Sequence, residues 1–261
     1  MATQVVVSVV MGVFNEEKVI ARSLQSIINQ SFVDWELIVV DDGSTDQSRE
    51  IIESFISQDN RIILIQNKTN LGHSTSLNVG MAIAKGKYIA RMDADDESLP
   101  KRLESQTTFL ELHPDIDILG TAAVYIDGQG QTLKEMVFPQ WHEDILAKML
   151  RTSPFAHPTI MMKRDFVEVM GGYDVSHTRG EDHDLWLRSR GIGKFHNLPE
   201  IHLRYLVSSK VMFRSLFDRA SVRLKHSHSI FEYLASIFWS FMDLLVELRK
   251  QLMQTLVKFK T

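Results

Sequence analysis

Lys87-Tyr-Ile-Ala-Arg-Met-Asp-Ala-Asp-Asp96 runs from an apolar, β-prone segment straight into three carboxylates, Asp93, Asp95 and Asp96. Carboxylates clustered at the end of a strand repel one another. They stand only where water solvates them or where something positive sits between them. A hard divalent cation is the natural candidate, because Mg²⁺ and Mn²⁺ prefer oxygen ligands and keep open positions for substrate phosphates. An isolated D-x-D usually marks no more than an acidic surface turn, so the reading depends on the sequence around it.

Upstream, the chain alternates apolar runs with helical patterns. Val5–Met11 is a continuous apolar run, as expected of a strand buried on both faces of a parallel sheet. Asn15-Glu16-Glu17 reads as a helix cap with acids in the first turn, and Ile20, Leu24, Ile27 and Ile28 give that helix one apolar face. Leu37–Val40 is a second strand, ending in Asp41-Asp42-Gly43. Ser44-x-x-Gln47 reads as a capping box for a helix with Ile51, Ile52, Phe55 and Ile56 turned inward. Arg61–Gln66 is a third strand, His73–Ala84 a helix, Lys87–Met92 a fourth strand. Pro100 opens a helix that His113-Pro114 stops near Leu112. Such alternation predicts a doubly wound α/β fold with a mostly parallel sheet. Ligands then bind at the C-terminal ends of the strands, where Gly12-Val-Phe-Asn15, Asp41-Asp-Gly-Ser44 and Asp93-Ala-Asp95 converge.

Beyond a strand expected at 116–125 the rhythm becomes irregular. Asp127-Gly-Gln-Gly130 and Gly171-Gly-Tyr-Asp174 are turns, and Gly180–Arg188 is a loop entering a helix. From Val211 to Lys260 the pattern is helical. Its most apolar stretch, 230–248, is interrupted by Glu232, Asp243 and Glu247, which argues against a membrane span.

The 261 residues suffice for one large α/β domain or two small ones, and the chain contains no cysteine, which excludes disulfides and thiolate metal sites. The N-terminal residues lack the basic region and cleavage site of a signal peptide, so a cytoplasmic setting is expected. The net charge of −4 hides an asymmetry. From Arg204 onward there are ten Lys/Arg and four Asp/Glu, against nineteen and twenty-nine before it. An acidic body argues against nucleic acid as a partner, while the basic tail leaves an anionic surface open.

Five motifs in order resemble the family 2 glycosyltransferases, whose fold is GT-A: Phe14-Asn15-x-Glu17; Trp35-Glu-Leu-Ile-Val-Val-Asp-Asp-Gly-Ser-Thr-Asp46; Asn70-x-Gly72 with Asn78-x-Gly80; Tyr88–Asp96; and Gly180-Glu-Asp-His-Asp184. The resemblance runs from about Val5 to Tyr205. It implies a catalytic domain over 1–208, with a nucleotide-sugar-binding half at 1–96 and an acceptor-binding half at 97–208, followed by a helical tail at 209–261. It further implies a Mn²⁺- or Mg²⁺-dependent, inverting transferase that moves one sugar from a UDP-sugar to a glycan or polyprenyl-linked saccharide. Bacterial surface-polysaccharide assembly is the implied setting.

The same resemblance assigns roles. Phe14 would pack near the base, and Glu17 belongs to the donor-binding motif. Asp42 would accept the N3–H of uracil. Asp95 would be the first metal ligand, with Asp93 on the ribose or a metal-bound water, and Asp96 would belong to the following turn. Asp182 would be the general base, with Glu181 orienting the acceptor and His157 on a loop facing it. Trp186 reads as core, and Asp184 as a helix N-terminal acid.

Departures from the pattern matter. Ser74-Thr-Ser-Leu77 stands where many relatives carry an arginine that could contact the donor, leaving Arg91 or Lys68 as substitutes. Ser208 stands where some relatives place a metal-site histidine, which implies weaker metal binding. No Q-x-x-R-W follows Asp182, which argues for addition of single sugars over processive synthesis. In the tail, Arg214, Arg219, Arg223 and Lys225 recur at roughly helical spacing among Phe213, Leu216, Phe217 and Leu224. That pattern suits either a helix lying on an anionic membrane or one that closes the fold or forms an oligomer contact. Two other function classes stay open: a catalytically silent nucleotide-sugar-binding or scaffold protein, and a nucleotidyltransferase. The second would normally show a glycine-rich basic loop near the N-terminus, where Gly12-Val-Phe-Asn15 stands.

Overall fold

A computed structural model describes residues 5–177, 179–207, 214–227 and 229–258, with the side chains of 214–219 and 247–258 left aside. Strand β1 (Val7–Val13) pairs in parallel with β2 (Trp35–Asp41) and β4 (Tyr88–Arg91), and β2 with β3 (Ile62–Gln66). Every residue of β1, β2 and β4 is buried, which accounts for apolar runs without alternation. Helices α1 (Ile20–Ile28), α2 (Ser48–Ile56) and α3 (His73–Ile83) make the crossovers. Ile20, Leu24 and Ile27 of α1 are fully buried against the sheet, one face at helical spacing. Gly80 of α3 is held by packing: a Cβ there would lie 2.6 Å from Val10 Cγ1.

Two helix starts differ from the sequence reading. Helix α1 begins at Ile20, not at Asn15–Glu17, and α2 begins at Ser48 without a capping box from Ser44. The cause is a latch between the two strand-to-helix loops. Asn15 takes a left-handed backbone (φ 56°), and its side-chain oxygen accepts from Thr45 N at 2.8 Å. Ser44 Oγ accepts from Asn15 N, Ser48 Oγ from Glu16 N and Asp46 from Glu17 N. The capping side chains thus serve the neighbouring loop, and α2 is entered through Asp46 Oδ1, which accepts from Ser48 N at 3.0 Å.

The second half continues the same sheet with mixed direction. After β5 (Glu97–Ser98) and α4 (Arg102–Leu112) come β6 (Ile118–Ile126) and β7 (Thr132–Met136), then α5 (His142–Met149). A 3₁₀ turn (His157–Thr159), β8 (Met161–Lys163), α6 (Arg164–Met170), α7 (Glu181–Ser189) and β9 (Phe195–Leu206) follow. The strand order is β3-β2-β1-β4-β8-β6-β9-β5, with β7 on β6. Strand β8 lies antiparallel between β4 and β6, so the two halves share one sheet.

Helices α8 (Arg214–Lys225) and α9 (Ile230–Lys258) close the described chain. Val222 is fully buried and belongs to the same core cluster as Leu185 and Trp186 of α7. Arg223, read from the sequence as part of a basic surface stripe, is buried instead. It donates to the Arg151 carbonyl at 2.6 Å and to Asp243 at 2.8 Å. Arg214, Arg219, Phe213, Leu216, Phe217 and Ser208 lie outside the described side chains.

Candidate active site

The C-terminal ends of β1, β2 and β4 open into a cleft of about 1020 Å³ that α7 and the 153–158 segment wall on the other side. Its volume stands at the upper end of the roughly 300–1,000 Å³ typical of small-ligand sites, room for a nucleotide and a second ligand together. Phe14, Asp42, Asp93, Asp95, His157, Glu181 and Asp182 all line it. Glu17 does not: its carboxylate accepts from Gln47 N at 3.1 Å, as part of the loop latch. Its neighbour Glu16 lines the cleft instead, and burial with the charges of Asp95, Asp46 and Asp93 raises its carboxyl to about 7.

Asp42 is buried and organises the loop beside it. Its carboxylate accepts from Asn67 Nδ2 (2.8 Å), Leu71 N (2.9 Å) and Gly72 N (2.9 Å). Asp41, not Asp42, takes the turn N–H, accepting from Ser44 N at 2.9 Å. A carboxylate offers about four lone-pair directions, so Asp42 retains one acceptor direction.

The carboxylates after β4 are poorly neutralised. Asp93 pairs with the buried guanidinium of Arg91, whose Nη2 also meets His73 Nε2 at 2.8 Å. Burial and the neighbouring Arg91 charge press the His73 imidazole down to about 4, so it is neutral at pH 7. Burial, then repulsion from Asp93, lifts the Asp95 carboxyl to about 6. Asp96 N donates to the Asp93 carbonyl across the turn, while its carboxylate accepts from Leu206 N of β9 at 2.8 Å and is buried and raised well above the usual carboxylate range. Its Oδ2 has no hydrogen-bond partner among the described residues. One carboxylate oxygen from each of Asp93, Asp95 and Asp96 lies within 4.8 Å of the others. An all-oxygen set in which burial and then neighbouring acids raise Asp95 and Asp96, and which holds an orphaned buried oxygen, fits a hard divalent cation.

On the opposing segment, burial and then Asp182 raise Glu181 to about 7. Both acids sit in the first turn of α7, where the helix N-terminus favours negative charge. His157 meets Tyr173 Oη at 2.7 Å, and burial holds its imidazole well below the usual range, as a neutral ring. Tyr173 is set by Asn78 of α3, which donates to Tyr173 O at 2.8 Å and accepts from Tyr173 N at 2.9 Å. A Cβ at Gly172 would lie 2.5 Å from Asn78 Oδ1, so this clip needs glycine there. Trp186 is fully buried, its Nε1 donating to Ser153 Oγ at 3.0 Å. Asp184 is more than a dipole partner: it is fully buried and bonded to Arg188 and His226 at 2.7 Å each. Glu16, Arg91, His73, Tyr125 and Tyr205 also line or support the cleft, and sequence reasoning gave none of them a firm role. For Glu16 the signal was present in the Asn15-Glu16-Glu17 run. Which of two adjacent acids faces inward depends on the φ of Asn15.

The sequence pattern described as "Glycosyl transferase family 2" matches residues 8–171. EpsE of Bacillus subtilis (strain 168), which carries a glycosyltransferase name, is 43% identical over 185 residues, 70% of this chain and 66% of that protein. The O-antigen biosynthesis glycosyltransferase WbnJ of Escherichia coli is 34% identical over 209 residues, 78% of this chain and 80% of WbnJ. Matches to the first curated relatives thus span about two thirds of those proteins' length. Among solved structures, S. aureus TarS 1-349 in complex with UDP-GlcNAc superposes with a TM-score of 0.68 at 21% identity, covering 88% of this chain and 69% of TarS. A Pyrobaculum calidifontis mannosyltransferase in complex with GDP-Man and Mn²⁺ superposes with a TM-score of 0.64 at 18% identity, covering 84% of this chain and 62% of the other. At such identities the likeness concerns the fold, the GT-A arrangement expected from the sequence.

Proposed function

Because this chain belongs to glycosyl transferase family 2, we propose that it moves a single sugar, with inversion, from a UDP-sugar to a glycan or lipid-linked saccharide in surface-polysaccharide synthesis. The carrying observation is that Asp93 and Asp95, at the end of β4, and Asp182, at the start of α7, line one cleft with Asp42. Asp42 accepts the N3–H of uracil through its remaining acceptor direction, and Phe14, at the cleft rim, packs near the base. Asp95 and Asp93 would hold a Mn²⁺ or Mg²⁺ ion, with Asp96 the third carboxylate beside them. Such an ion would supply positive charge against the donor's phosphates and the departing diphosphate. Asp182 takes the proton of the acceptor hydroxyl as its oxygen bonds the anomeric carbon, while the bond from that carbon to the diphosphate oxygen breaks on the opposite face. Glu181, held near 7, keeps a proton part of the time and donates it as a hydrogen bond to an acceptor oxygen. His157, neutral and steadied by Tyr173, faces the acceptor. The reaction is placed on the cytoplasmic side, where nucleotide sugars are available.

Two neighbours of the same fold are named with different nucleotides, UDP-GlcNAc and GDP-Man, so the base is the first point to test. Calorimetric titration with UDP, GDP and CDP, each with Mn²⁺ and with EDTA, is expected to give metal-dependent binding of UDP alone. Preference for another nucleotide overturns the role of Asp42 and spares the transferase reading. Binding of none would favour a scaffold.

A further inference from the structure

Helix α9 carries an apolar band that the catalytic cleft does not use. Over 230–246 the large side chains are widely exposed, among them Ile230 at 80%, Phe231 at 78%, Leu234 at 58%, Phe238 at 52% and Phe241 at 56%. They recur at i, i+3/i+4 and i+7 and cover about half of the helix circumference. Together they expose on the order of 1,000 Å² of apolar surface, against the few hundred typical of a soluble monomer. The opposite face of α9 is taken by the body of the protein. Glu232 pairs with Arg190 at 3.0 Å, Asp243 with Arg223 at 2.8 Å, and Trp239 lies under the Arg151 guanidinium at 4.4 Å.

This arrangement fixes both the charge and the direction of the band. Glu232 and Asp243 are the only charged residues between 230 and 246, and both are paired toward the body, so the outward band is uncharged and aromatic-rich. Immediately after it, residues 247–261 hold Arg249, Lys250, Lys258 and Lys260 against one acid, Glu247. A two-stranded coiled coil needs a narrower seam flanked by charges at its edges. An uncharged half-cylinder followed by basic residues matches the charge and polarity of an anionic lipid surface. No described helix is long and apolar enough to cross a membrane, so the band would lie in the interface plane.

We propose that the outward face of α9 docks this protein onto an anionic lipid bilayer. The sequence left Arg214–Lys225 open either to such a role or to closing the fold or an oligomer contact. The burial of Arg223 and Val222 moves it to α9. Arg151, which stacks on Trp239, is two residues from Ser153 at the cleft wall, so a short stretch of chain joins α9's inner face to that wall. The proposal stands whatever the donor is.

The test is flotation of the full chain with phosphatidylglycerol–phosphatidylcholine vesicles, and with phosphatidylcholine vesicles alone, for wild type and for Phe231→Glu/Phe241→Glu. Both sites are exposed, and circular dichroism melting checks that the variant folds. Wild type is expected to float with the anionic vesicles, and the variant to lose more than about tenfold of that binding. Wild type that stays in the soluble fraction, or a folded variant that floats as well, overturns the proposal. Light scattering covers the rival occupant: a dimer broken by the same substitutions, with no flotation, would assign the face to a second copy of the chain.

Discussion

Two acidic clusters of this molecule have similar composition and opposite electrostatics. Asp93, Asp95 and Asp96 gather at the end of β4, and Asp174 and His177, after the Gly172 turn, gather with Asp184 in the first turn of α7, each set with ligand atoms within 4.8 Å of one another. In the first, Arg91 serves Asp93, while Asp95 is lifted to about 6 and one oxygen of Asp96 is left without a partner among the described residues. In the second, Lys225 bonds Asp174, and Asp184 takes both Arg188 and His226. Burial opposes the charge of Asp184, but those two hydrogen bonds outweigh it and hold its carboxyl at about 2. The second cluster supplies its own cations and ties α7 to α8. The first leaves negative charge unanswered, and on the proposed reading that deficit is where an external cation and a phosphate-bearing substrate would sit.

The contrast breaks most sharply at Asp182. Asp182→Asn is expected to lower turnover by about 10²–10⁴-fold while leaving UDP affinity within a few fold. Loss of UDP binding in a folded variant would remove Asp182 from the role of base. Next in size is Asp184→Ala. Removing a buried, doubly bonded carboxylate strands Arg188 and His226 and should cost about 3–5 kcal/mol of stability, read as a lower urea midpoint. A midpoint unchanged from wild type would mean that this cluster holds nothing together.

The smallest effect concerns pH. Asp95, Glu16 and Glu181 have folded-state pKa values of about 6, 7 and 7, raised above their unfolded values. Their contribution to stability is therefore present below the ordinary carboxylate range and is lost as pH rises through about 6 to 7. A divalent cation competes with those protons. The rise in melting temperature caused by Mn²⁺ over EDTA should grow between about pH 5.5 and pH 7.5. A shift that is constant across that range would place the metal elsewhere.

Much of the first half was legible because its signals are local. Continuous apolar runs gave β1, β2 and β4, and the acids that follow them gave the cleft. The latch between the two loops was not legible, since Asn15, Ser44 and Asp46 have the same types whether they cap their own helix or bond to a loop about thirty residues away. In the second half, β8 has three residues, and β9 contains Pro199 and shifts register against β6, so neither leaves a period to read. Arg223 shows the same limit from the other side. Its spacing suggested solvent, yet Asp243, twenty residues on, draws it inward.

The clip between Asn78 and Tyr173 has a bearing on motion. It fastens α3 to the turn that precedes α7, and β8 binds the two halves into one sheet. On the roles proposed for Asp42 and Asp182, the clip would fix the spacing between donor and acceptor, leaving loops at the rim to open and close. Loosening the clip, for instance with Asn78→Ala, would turn a rigid gauge into a variable one.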